Sequence, residues 1–151
     1  MRLISTRPPH HEVSLRQAVL EDPSPDGGLY LPISLPRLSA DDLEVLKGVP
    51  FPVLAERLAL RLFGPSVGRE TIQRIVTTAF DFPAPLVPLD GNTWILELFH
   101  GPTGSFKDFG ARFLACLLSV LRDSDEGPVI ILVATSGDTG GAVAHAVRGL
   151  E

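Results

Sequence analysis

Lysine is nearly absent from this chain: only Lys47 and Lys107 stand against eleven arginines. Where a bare positive charge is wanted, the sequence uses arginine. Lys107 lies in Glu97-Leu-Phe-His-Gly-Pro-Thr-Gly-Ser-Phe-Lys-Asp-Phe-Gly110, a stretch that leaves an apolar run at Thr93 to Phe99 and breaks at His100-Gly101-Pro102. Such a turn suits neither strand nor helix. A helical pattern starts at about Phe106, so Lys107 is expected in the first turn of a helix, facing the mouth of the loop. The partial positive charge of a helix N-terminus disfavours an ammonium there, and Phe106 and Phe109 would desolvate it further. The spacing therefore points to an amine that can lose its proton, as Schiff-base chemistry requires. A solvated lysine at a helix start is the plainer alternative.

A second loop, Thr135-Ser-Gly-Asp-Thr-Gly-Gly141, offers backbone N–H groups and side-chain oxygens at the start of another helix. That arrangement suits a carboxylate or phosphate. It equally reads as an ordinary turn capped by Ser136 or Asp138. The loop lacks the Gly-Lys-Ser/Thr ending of a Walker A sequence and the Gly-x-Gly-x-x-Gly spacing of a dinucleotide site. Ser136 is not in a Gly-x-Ser-x-Gly elbow, which argues against a hydrolase. Histidines 10, 11, 100 and 145 show no metal-ligand spacing.

The elements that must position these loops read as α/β. A strand over 94–99, a helix over 106–122, an apolar strand at Val129 to Ala134 and a helix over 142–148 form two β-loop-α units. They mark the start of an open parallel sheet with ligand loops at its carboxyl ends. Helix 106–122 is apolar nearly all round, with a narrow polar stripe at Asp108, Arg112, Ser119 and Arg122. Before it, residues 1–82 read as a mostly helical N-terminal subdomain. Its helices are expected after the N-cap Ser14, from Ser39 to Lys47, from Pro52 to a stop at Gly64-Pro65, and after Gly68. A short strand is expected at 3–6, an extended piece at 29–31, and a turn over Pro25 to Gly28. Pro83, Pro85 and Pro88 mark the joint with residues 83–151. Two parallel strands do not make a covered sheet, so the sequence reads as the front part of a longer protein whose isolated form would self-associate.

Bulk properties exclude other classes. A net charge of −5 argues against nucleic acid,. Met1 to His10 lacks the apolar core of a signal peptide, and Phe113 to Leu121 is too short to cross a bilayer. One cysteine, Cys116, can form no internal disulfide, which fits a cytoplasmic protein,.

The motifs also carry a family likeness. Glu97 to Phe113 resembles the lysine motif of threonine synthases, pyridoxal-phosphate enzymes of fold type II. Ala134 to Gly141 resembles the motif that follows it in that family, and Pro25-Asp-Gly-Gly-Leu-Tyr-Leu-Pro32 resembles its N-terminal signature. The resemblance implies conversion of O-phospho-L-homoserine, a small phosphorylated amino acid, and water to threonine and phosphate. It implies that Lys107 is catalytic and holds pyridoxal 5'-phosphate. It further implies that Ser136, Gly137, Asp138, Thr139 and Gly140 hold the substrate carboxylate. The glycine-rich loop for the cofactor phosphate and the partner of the pyridine nitrogen lie later in the family sequence, so this portion is expected to be inactive alone. A non-catalytic phosphate- or metabolite-binding module and a pyridoxal-phosphate dehydratase or lyase of other specificity are the rival readings.

Overall fold

The computed structural model describes residues 1–21, 23–123, 125 and 127–150. Asp22, in the stretch before the expected turn, and Glu151, which ends the expected second region, lie outside the described residues. The chain forms two compact units, Met1–Gln73 and Arg74–Glu151.

The first unit contains a three-stranded antiparallel sheet in the order β2-β1-β3, from Glu12–Ser14, Arg2–Ser5 and Tyr30–Pro32. Leu3 pairs with Val13 on one side and Pro32 on the other. Alternation turns Leu3 and Ser5 inward, and Ser5 would be a buried polar group without a partner,. It has one: its hydroxyl donates to Asp26 Oδ1 at 2.8 Å, and the same oxygen accepts from the N–H of Gly28 at 2.8 Å. The aspartate of the Pro25–Gly28 turn thus ties turn to sheet, with Gly27 at φ +71°.

Helix α1 (Leu15–Leu20) starts as expected at Ser14, whose hydroxyl accepts from the N–H of Gln17 in a reciprocal capping box,. Helix α2 (Ala40–Leu46) repeats the device with Ser39 and Asp42. Helix α3 (Phe51–Val67) does not stop at Gly64-Pro65 but continues through it. So near the C-terminus Pro65 removes a single helical donor, and the helix closes at Gly68, whose φ is +89°,. Helix α4 (Arg69–Ala79) buries Ile72, Ile75, Val76 and Ala79, the stripe its 3.6-residue period dictates,.

In the second unit, the expected strand 94–99 is β5 (Thr93–Leu96), and it is half of a hairpin with β4 (Leu86–Asp90). Val87 faces Ile95 and Pro88 faces Trp94, with an irregularity between Pro88 and Asp90 that accommodates the missing proline donor,. Pro88 is therefore part of a strand rather than of a joint. Helices α5 (Lys107–Leu121) and α6 (Asp138–Val147) pack against each other, burying Ala115, Cys116, Leu117 and Ala142. Burial pushes the Cys116 thiol above its ordinary value, a rise that the Arg112 charge partly offsets.

The chain is α/β, but its paired strands are all antiparallel. Residues 129–134, expected as a parallel strand, form no ladder, and Ile130 and Leu132 are 81% and 89% exposed. A strand exists only with a neighbour to share its hydrogen bonds, and none among the described residues lies beside this run. For the same lack of cover α5 is buried along one face only; Leu114 and Val120 are exposed.

Candidate active site

The turn after β5 delivers the chain to α5, and Lys107 is the first helical residue, following the N-cap Phe106. Its side chain is 30% exposed. Two groups attract the ammonium. Phe106 presents its ring face 4.3 Å from Nζ, and Asp138 Oδ2 lies 3.9 Å away,. Neither is a hydrogen bond of ordinary length, so the ammonium is held loosely, by an ion pair and a ring face,. The expected pair of flanking phenylalanines is half right. Phe109 points elsewhere, into an aromatic cluster with Phe80 and Phe82 at centroid separations of 6.1 and 5.0 Å. At the other end of the loop, Glu97 and His100 pair at 2.6 Å and the Phe99 ring lies tilted against the imidazole, centroids 4.7 Å apart.

The 135–141 loop converges on the same place, because α6 begins at Asp138 and Asp138 is what approaches Lys107. Neither Ser136 nor Asp138 caps this helix. The cap is Gly137, at φ +149°, which has no side chain with which to do so. Its own N–H donates to Thr135 Oγ1 at 3.2 Å, while no side chain caps the first turn at Asp138, Thr139 and Gly140. A helix start of this kind presents free N–H donors and the positive end of the helix dipole. Gly140 lies close under the loop: a Cβ there would meet Thr135 Cγ2 at 2.6 Å, so a larger residue requires the threonine side chain to turn away. The exposed Asp138 carboxylate has the wrong sign for an acidic ligand, so its contribution to an anion site is its N–H.

The polar stripe on α5 is not a solvated face. Arg112 donates to the carbonyls of Ala79 and Thr78 and to Asp81, and Ser119 donates to the Cys116 carbonyl. Arg122 donates to the Gly127 carbonyl. Asp108 is completely buried and accepts from the N–H of Thr103 at 2.9 Å and from its hydroxyl at 2.8 Å. Helical spacing alone misplaces it, because its partner lies on the preceding loop.

A family model described as "Threonine synthase N terminus" matches residues 2–80. Similar curated proteins include the threonine synthases of Haemophilus influenzae, 41% identical over all of this chain, and of Escherichia coli, 39% identical over 99% of it. The chain spans about a third of the length of these relatives, 35% in each case. Similar solved structures include two bacterial ones. The threonine synthase of E. coli covers 99% of this chain with a TM-score of 0.88 at 39% identity, over 35% of its own length. The pyridoxal-phosphate-bound threonine synthase of Brucella melitensis covers all of it with a TM-score of 0.91 at 33% identity, over 34% of its own length.

Proposed function

The chain belongs to the threonine synthase family through its N-terminal region, and on that premise we propose that it forms part of an enzyme converting O-phospho-L-homoserine and water to threonine and phosphate. The observation that carries the proposal is the meeting of a primary amine, Lys107 at the start of α5, with the uncapped start of α6. These residues fit pyridoxal phosphate and an amino-acid substrate: one primary amine for the aldehyde, and N–H donors within reach of it for a carboxylate. Ser136, Gly137, Asp138, Thr139 and Gly140 then form the substrate loop. The reaction is assigned to the cytosol, in keeping with the single buried cysteine,.

When bound, the cofactor supplies an electron sink for charge developing on the substrate carbons. Lys107 would hold the cofactor through Nζ, and the same amine would carry protons between substrate carbons within its reach. Asp138 and the Phe106 ring keep the Lys107 side chain close to the site rather than letting it swing into solvent. The α6 N–H groups fix the substrate carboxylate, which sets the direction in which the remainder of the molecule extends.

In protein expressed from its complete reading frame, borohydride reduction should fix the cofactor to the peptide containing Lys107 and leave Lys47 unmodified. Lys107→Ala should abolish turnover. Lys107→Arg should do no better, because a guanidinium keeps the charge but neither condenses with an aldehyde nor gives up its proton. Labelling at Lys47, or a near-normal rate in Lys107→Arg, would overturn the assignment. Release of ammonia instead of phosphate would keep the cofactor and change the substrate.

A further inference from the structure

The buried carboxylate beside the reactive lysine has no part in the chemistry above. Asp108 is fully enclosed, yet among the described residues no cation pairs with it. Both of its oxygens are spent on one residue: Oδ2 accepts the Thr103 N–H and Oδ1 the Thr103 hydroxyl. Burying a carboxylate against neutral donors alone is costly, so the clamp is a poor way to gain stability. It is an effective way to fix geometry. Thr103 is drawn onto the first turn of α5, and the backbone between them is closed by Gly104 N–H to Gly101 O at 3.1 Å and Asp108 N–H to Ser105 O at 3.0 Å. Gly101 lies so close that a Cβ there would meet Asp108 Cβ at 2.8 Å. The loop His100 to Phe106 is thereby held from within, at the residue adjoining Lys107.

We propose that Asp108 is a positioning residue that, through Thr103, sets the height and direction at which α5 presents the Lys107 amine. This rests on the reading of Lys107 as the cofactor lysine. Asp108 touches neither substrate nor cofactor. It acts on the backbone that carries Phe106 and Lys107, and so on the approach of Nζ to an aldehyde. Displacement of a reacting group by about 1 Å is enough to slow a reaction about a hundredfold, which gives the scale of the effect.

The test uses protein from the complete reading frame, stripped of cofactor with hydroxylamine, re-exposed to pyridoxal phosphate and trapped with borohydride. Lys47, in the other unit and exposed, serves as the internal standard for amine reactivity. Asp108→Ala should slow modification of Lys107 at least about tenfold while Lys47 is unchanged. Asp108→Asn, whose amide can still accept from the Thr103 N–H and donate to its hydroxyl oxygen, should restore the rate to within about threefold. Thr103→Val removes the hydroxyl half of the clamp and keeps the backbone N–H half and the acid itself, and should slow Lys107 by an intermediate factor. It decides the matter if Asp108→Ala does not fold. Parent-like Lys107 rates in Asp108→Ala, or in Thr103→Val should the alanine variant not fold, would overturn the positioning role while leaving the cofactor lysine in place. A parent protein that modifies Lys107 no faster than Lys47 would instead remove the cofactor reading, and this proposal with it.

Discussion

Arg112 offers the cleanest test of how α5 is anchored in its unit. Its Nε donates to the Ala79 carbonyl at 2.8 Å, and an η nitrogen to the Thr78 carbonyl at 2.5 Å and to Asp81 Oδ1 at 2.8 Å. The guanidinium carbon lies 5.6 Å from the Phe82 ring centre, and the side chain is only 13% exposed. These carbonyls are among the last of α4, which no later turn of that helix satisfies. In Arg112→Ala the losses differ. Ala79 is completely buried, so its carbonyl would go without a partner at a cost of about 1–3 kcal/mol,. Thr78 is exposed and its carbonyl can turn to water. The Asp81 pair, with the acid 62% exposed, adds at most about 1 kcal/mol,. Loss of the contact with Phe82 adds about 0.5 kcal/mol. The expected destabilisation is roughly 2–4 kcal/mol. Urea unfolding followed by the fluorescence of Trp94, the sole tryptophan and a member of the same unit, reads it directly. Arg112→Lys, a point charge that reaches one carbonyl at a time, should fall between. An Arg112→Ala variant within about 0.5 kcal/mol of the parent would show that water serves both carbonyls and that the anchor is elsewhere.

Four further outcomes follow from the structure. Gly101→Ala should destabilise by about 1–3 kcal/mol, because its Cβ meets Asp108 backbone-anchored atoms that cannot yield,. Gly110→Ala, with nothing within 4 Å, should stabilise by about 0.5–1 kcal/mol, and equal effects at the two sites would refute the close-approach argument,. The bond from Arg61, then those from Ser39, draw the Asp42 carboxyl down to about 2 from 3.8, and the Ser5 hydroxyl leads the lowering at Asp26. A carboxyl whose folded value lies below its unfolded value stabilises fully above about pH 4, and this contribution fades as pH falls toward 2. Melting temperatures between pH 5 and 2 should therefore fall less steeply in Asp42→Asn, and an identical slope would refute the linkage. Finally, this chain expressed alone exposes Leu86, Leu89, Trp94, Leu96, Ile130 and Leu132, and should self-associate and take up the cofactor weakly or not at all,. A monomer in sedimentation that binds it at micromolar levels would contradict this.

Local chemistry was legible in the sequence and non-local pairing was not. Ser14 and Ser39 announce their helices because a capping box is written within four residues. The α4 stripe and the position of Lys107 at a helix start are equally local. β2 has only three residues, too few for an alternation to register, and its partner lies across a turn that hydropathy does not mark. β4 was hidden by Pro88, because the irregularity that tolerates a proline is a property of the pair. Asp108 was misplaced for the same reason: helical periodicity puts it with Arg112, while the partner that buries it is on the preceding loop. For residues 129–134 the apolar run is plain in the sequence, but a strand is made by its neighbour.

The burial of Cys116 has a practical side. Only a thiolate attacks alkylating reagents, and this thiol is both enclosed and held protonated by desolvation,. The natural chain therefore behaves as a cysteine-free background while it is folded. A cysteine introduced at an exposed position of each unit, such as Arg37 and Asp90, would take a pair of spectroscopic labels selectively. Unfolding of each unit could then be followed separately as urea is added, with the native thiol left silent until its own unit opens.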